Sequence, residues 1–417
     1  MRKTNLLRLL FLAVLCALPP LSIDMGLPSL PAMGVFFGVS ASTAALSVTL
    51  FMAGFALSPI IYGVLSDRWG RRPLLLAGLA LFATGGIACL CVPGLGWLLV
   101  ARFVQGLGAG CGPTLAFAAT RDRLSGPALG QRLALLTMLL NGAPIVAPSL
   151  GALWLLLDGW RGSYVILAIA GTLLLVAAYF SFDETKPPND GKRAEPFAAF
   201  IQDISMLRHR PDIFLPGLIY GLSAGAMFSY VSTSSLLFMQ RLGASAELYA
   251  GLFAMTGMAT CLGAYVSGRA LHKSGTLRLI VAGQVFMILG PLGAILFSSW
   301  HVHVIALVIS CMMAAMFGYG LIAPASAHAT LDPVPTIAGT VSAMMNSGQM
   351  TCMAFSSLLA SLLFHLMGGF GMSVILLAFA VLSSWCLLFL IKNADLHRAT
   401  LPEIDSVDTK PTAKHCS

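Results

Sequence analysis

Long apolar runs separated by short polar breaks extend along almost the whole chain. They fall at about 6–30, 42–65, 73–92, 95–119, 131–157 and 161–182, and after a polar stretch resume at about 212–238, 247–271, 277–299, 302–328, 335–365 and 370–391. Each is close to the roughly 20 apolar residues that cross a bilayer as a helix. A backbone in lipid must satisfy its own hydrogen bonds, so a run of this length predicts a helix. The pattern predicts an all-α membrane protein of twelve transmembrane helices in two sets of six. It divides the chain into a first six-helix bundle (1–182), a linker (183–211), a second bundle (212–392) and a disordered tail (393–417). Within the linker, Phe197, Phe200, Ile201, Ile204 and Leu207 recur at helical spacing. That spacing predicts an amphipathic helix on the membrane surface.

Composition agrees. Of the 417 residues, 58% are hydrophobic and 10% charged, against about 25% charged in soluble domains. Such a chain cannot cover a water-facing surface. The net charge of +8 does not point to nucleic acid, because the basic residues recur in short breaks rather than in one domain. With the N-terminus inside, twenty-one of the 24 lysines and arginines fall on one face. Arg161 and Arg241 fall on the other, and Arg102 lies inside a span. This bias places both termini in the cytoplasm. Arg2, Lys3 and Arg8 precede the first run, which lacks a clear cleavage site and is read as a retained helix. The nine cysteines show no metal spacing or disulfide framework and read as small buried hydrophobes. No phosphate loop, catalytic triad or metal cluster is visible, so no enzyme, cofactor or metal is expected.

Few residues could carry chemistry. Asp24 is the one acid placed well inside a span. A carboxylate away from water is costly while ionised, which suits a group that binds and releases a proton. The alternative is an acid at a helix end near the outer interface. Arg102, Gln105, Gly106 and Ala109 share one helical face, and Gly106 with Gly110 allows a neighbouring helix to approach. Arg102 could instead snorkel to the outer interface. Gly142, Pro144, Pro148 and Gly151 suit a kinked hinge in the fifth span. Tyr230, Asn346 and Gln349 are deep polar residues, either substrate contacts or helix-to-helix hydrogen bonds.

Between the second and third spans, Gly63, Asp67, Arg68, Gly70, Arg71 and Arg72 form a charged loop. Gly63 is read as a helix contact and Gly70 as a tight turn. Asp67 is read as facing the positive end of another helix. Shifted by 205 residues, the loop has a weak copy at Gly268, His272, Lys273 and Gly275, without the acid.

That loop resembles motif A of the major facilitator superfamily, whose pattern is close to G-x-x-x-D-R-x-G-R-R. Arg102 with Gln105 and Gly106 resembles motif B, and Gly142 to Gly151 resembles the antiporter motif C. Further stretches are Ile23 to Pro31, Thr120-Arg121-Asp122, Gly159-Trp160-Arg161 and Ala338 to Ala343. They resemble the Bcr/CflA drug-resistance exporters. The resemblance implies a monomeric, proton-driven antiporter of the bacterial inner membrane that exports small molecules such as bicyclomycin- or chloramphenicol-like drugs. An exporter of a sugar or amino-acid derivative shares the same motifs. It further implies proton coupling at Asp24 supported by Arg102, and an inner gate in which Asp67 meets the eleventh helix near Thr336 to Gly339.

Overall fold

The structure, a computed structural model, describes residues 2–124, 126–185, 210–299, 304–334 and 338–400. The helices in chain order are α1 (Arg2–Asp24), α2 (Leu30–Phe37), α3 (Ala41–Ala44), α4 (Leu46–Trp69), α5 (Arg71–Leu90), α6 (Leu95–Ala109), α7 (Cys111–Arg123), α8 (Gly126–Asp158) and α9 (Gly162–Ser181). They continue with α10 (Pro211–Ser235), α11 (Ala246–Ser274), α12 (Thr276–Ser299), α13 (Ile305–Leu331), α14 (Ala338–Met367) and α15 (Gly369–Thr400). Among the described residues there is no strand.

Eleven described stretches are long and apolar enough to cross a membrane. One of them, Gln131–Ser181, is 51 residues long and folds as two helices. The break falls at Gly159, where φ is 66°, a conformation that suits glycine. The twelve expected crossings are therefore present.

Three expectations shift. The first crossing does not run unbroken to residue 30. Helix α1 ends at Asp24, a 3-10 turn follows at Leu27–Ser29, and α2 completes the crossing. Gly26, Pro28 and Pro31 disfavour an unbroken α-helix there. The motif A stretch is not a loop. Gly63 to Trp69 are the last turns of α4, and Arg71 opens α5. Only Gly70 is non-helical, with φ 98° and ψ 161°. Finally, α15 continues to Thr400, so residues 393–400 of the expected disordered tail are helical. Ala394, Leu396 and Arg398 are good helix formers, and the next breaker is Pro402. The amphipathic segment at 197–207 lies outside the described residues.

Packing depends on glycines at helix crossings. A Cβ on Gly54 or Gly106 would strike the backbone of the facing helix, α6 or α4 respectively. In the second half, Gly263 and Gly320 do the same for α11 and α13. The 205-residue repeat extends beyond the motif A region. Gly78 and Gly85 on α5 face α7 and α6, and Gly283 and Gly290 on α12 face α13. Gly275 repeats the Gly70 hinge with φ 77° and ψ 149°.

The halves touch toward the ends that the charge bias assigns to the outside. Thr49 Oγ1 on α4 lies 2.8 Å from Ser357 Oγ on α14. Ser42 Oγ on α3 lies 3.3 Å from His365 Nδ1. A Cβ on Gly257 of α11 would lie 3.2 Å from Ile145 of α8. The turn at Leu27–Ser29 packs against α10 and α11.

Candidate transport site

Asp24 closes the last turn of α1 and is only 4% exposed. Its carboxylate makes no hydrogen bond or ion pair with any described residue. It is thus both a helix-end acid and a buried one. The break in α1 is held from two sides. Ser163 Oγ on α9 donates to the Met25 carbonyl at 3.1 Å. Gly151 on α8 lies so close to the same carbonyl that a Cβ would collide with it. Gly151, read as part of a hinge, thus seats α8 on the broken helix.

Arg102 is 1% exposed, so it does not snorkel to the interface. Its Nη1 donates to Gln105 Oε1 at 2.7 Å and its Nη2 to the Ser22 carbonyl at 3.0 Å. The guanidinium carbon sits 4.3 Å from the Phe51 ring centroid and 5.5 Å from that of Tyr164. No acid pairs with this cation among the described residues. The aromatic faces and the carbonyl offset part of its desolvation. Two of its neighbourhood's donors, Arg102 Nε and Gln105 Nε2, are buried without partners. Gln105 and Gly106 share the buried face of α6 with Arg102 and Ala109, as the spacing predicts.

Sequence spacing gave no hint of Phe51 or Tyr164. The signal for Tyr164 was one step removed, in Gly159-Trp160-Arg161. Trp160 is buried against Phe36 and Phe37, with ring centroids at 5.3 and 5.4 Å. It also meets Tyr164 edge-on at 5.9 Å. That turn therefore sets the ring which covers Arg102.

At the motif A hinge, Arg71 is the centre. Its Nη1 pairs with Asp67 at 2.6 Å and its Nε with Asp122 at 3.1 Å. Glu184, beyond α9, accepts from the Arg71 and Arg72 amides at 2.8 and 3.1 Å. Glu184 thus caps the N-terminus of α5, and Asp67 bridges to Arg71. A Cβ at Gly70 would run into the Glu184 carboxylate. Arg72 donates to the Tyr179 carbonyl at 2.7 Å. Arg68 stands on the last turn of α4. Gly63 has open space where a helix contact was expected. The expected partner side chains from Thr336 to Gly339 lie outside the described residues.

The remaining candidates separate. Gly142 faces open space, and Pro144 and Pro148 lie inside the continuous helix α8. Tyr230 is buried, its hydroxyl 3.4 Å from Thr256 Oγ1 and its ring stacked on Phe253 at 6.4 Å. Phe253 also meets Tyr249, giving α10 and α11 an aromatic cluster near the turn after Asp24. Gln349 Nε2 donates to the Tyr319 hydroxyl at 3.3 Å. Asn346 is half-buried on α14.

Known proteins bear on this arrangement. The sequence model of the Major Facilitator Superfamily matches residues 10–357. An uncharacterized MFS-type transporter, YdgK of Bacillus subtilis (strain 168), is 31% identical over 361 residues, covering 81% of this chain and 88% of that one. The multidrug resistance protein MdtL of Escherichia coli O81 (strain ED1a) is 28% identical over 340 residues, covering 80% and 83%. A solved bacterial homolog of the human lysosomal transporter Spinster, in an inward-facing and unoccupied conformation, superposes with a TM-score of 0.71 at 16% identity, covering 95% and 98%. The twelve crossings, the glycine-hinged motif A and the match over most of the length converge: the chain belongs to the major facilitator superfamily, a family of membrane transporters and not of enzymes.

Proposed function

We propose that the protein is a proton-coupled antiporter of the Bcr/CflA type that exports small drug-like molecules across the bacterial inner membrane by alternating access. The observation that carries this reading is Asp24. It is a buried carboxylate without a described partner, at a helix break that faces the second half. A carboxylate so placed is costly to keep ionised. The reading assigns it a proton while the outer ends are closed. The proton leaves to the cytoplasm through the open inner side as substrate binds, and Arg102, bound to the Ser22 carbonyl two residues before Asp24, steadies the turn that carries the ionised carboxylate. A ligand that favours one conformation over the other shifts the balance between them. Proton entry from outside then favours return to the outer-closed form.

The kinship with MdtL supports a drug substrate, and the six-plus-six division at 182 and 212, with both termini cytoplasmic, is part of the same reading. The chain acts as a monomer in the lipid bilayer. Tyr230, Asn346 and Gln349 line the path from the second half, and Asp67 closes the inner gate. A metabolite exporter would share these motifs.

The test uses purified protein in vesicles without an imposed gradient. Adding chloramphenicol or bicyclomycin should release protons, and Asp24→Asn should abolish the release. Proton-driven transport persisting at the wild-type rate in Asp24→Asn would remove Asp24 from the coupling step. A screen in which sugar derivatives release protons and drugs do not would select the metabolite reading.

A further inference from the structure

The second half carries a feature that transport chemistry does not use. On the outer surface of α11, α12 and α13 lies an apolar groove of about 390 Å³, lined by Met255, Met258, Leu262, Phe286, Met313 and Phe317. Phe286 and Phe317 meet edge-on at 5.2 Å and form one wall. Three methionines give the groove a soft lining that adapts to a flexible chain.

Helix periodicity carries this face of α11 to the membrane edge. Tyr265 and Arg269 follow Leu262 at three and seven residues, and Lys273 follows at eleven. Arg269 is about 10 Å along the axis from Leu262. Its guanidinium lies 4.8 Å from the Tyr265 ring, which directs the charge along the membrane edge. Arg278 opens α12 at the same end.

These cations differ from those of the first half. There, Arg71 meets Asp67 and Asp122, and Glu184 caps the next helix. At the 205-residue offset the place of Asp67 is taken by His272. Among the described residues, Arg269, Lys273 and Arg278 make no ion pair; Asp212 is taken by Arg210 at 2.8 Å. A basic edge below an apolar groove matches a phosphate head with an acyl tail.

We infer that this face is a binding site for one anionic phospholipid, its phosphate on Arg269 and Lys273 and an acyl chain in the groove between Met258 and Phe317. The charge complementarity selects an anionic lipid over the zwitterionic lipids that would also wet the groove. Full-length protein in mild detergent, titrated with phosphatidylglycerol or phosphatidylcholine and read by native mass spectrometry, tests this. Wild type should retain phosphatidylglycerol in preference to phosphatidylcholine. The double variant R269Q/K273Q should lower that preference about fivefold for each cation removed. Leu262→Trp, which fills the groove without touching the charges, should reduce adducts of both lipids. Inorganic phosphate should not displace the lipid. Equal retention of the two lipids by wild type, an unchanged preference in R269Q/K273Q, unchanged adducts in Leu262→Trp, or displacement by inorganic phosphate would each overturn the assignment.

Discussion

Arg102 shows how a single side chain can hold several helices. Its guanidinium joins Gln105 on its own helix, the Ser22 carbonyl of α1, and rings from α4 and α9. A lysine cannot reproduce that planar fork. Arg102→Lys should lose at least one buried charge-assisted bond, at a cost of about 2 kcal/mol, visible as a lower melting temperature in detergent. A melting temperature equal to wild type would mean that the fork is not what holds α1. Gly106 fails in the opposite sense. A Cβ there would press on the Phe51 backbone. Gly106→Ala should destabilise by about 1–3 kcal/mol through overpacking, whereas Gly142→Ala, in open space, should be close to neutral. Parallel unfolding curves for the two variants check the contrast.

At the scale of elements, the hinge between α4 and α5 is a pair of helices joined by one residue. Its stability rests on a cap supplied from a distant point in the sequence. Glu184 lies more than a hundred residues beyond Arg71, yet accepts from the first two amides of α5. A carboxylate at that position satisfies orphan donors and meets the positive end of the helix. Glu184→Ala should therefore cost about 1 kcal/mol, and Glu184→Gln should recover part of it. Thermal unfolding of the three proteins measures the order. Motif A was legible in the sequence because its residues are contiguous. The cap was not, since an acid after the sixth span looks like any other loop charge until α9 returns it to the start of α5. Asp122 is alike: nothing within Thr120-Arg121-Asp122 shows that its carboxylate meets Arg71.

For the whole molecule, the two halves are in contact at the ends that the charge bias assigns to the outside. Thr49 and Ser357 come within hydrogen-bond distance across the seam, and alternating access requires that contact to break. Cysteines at both positions, in a background lacking the nine native cysteines, should crosslink under oxidation. The crosslink should stop transport, and reduction should restore it. Transport at full rate in the crosslinked protein would show that the seam stays closed throughout the cycle. The second half repeats the first in its glycine crossings and in the Gly275 hinge. It does not repeat the acid of motif A, and among the described residues it has no buried arginine beside the first helix of the half. The coupling proposed here therefore belongs to the first half, and the second supplies walls, seam and lipid-facing surface.

The sequence by itself determined the class, the crossings and the family. Apolar runs of bilayer length and the bias of lysine and arginine are properties of a linear chain, and so are contiguous motifs. The 205-residue repeat was legible too, and further than motif A: Gly78 and Gly85 recur at Gly283 and Gly290. What only the tertiary structure decided were the partners. The break after Asp24, the rings over Arg102, the cap from Glu184 and the seating of α8 by Gly151 all join residues distant along the chain. Burial and close approach are set by which helices meet, and no local spacing encodes that.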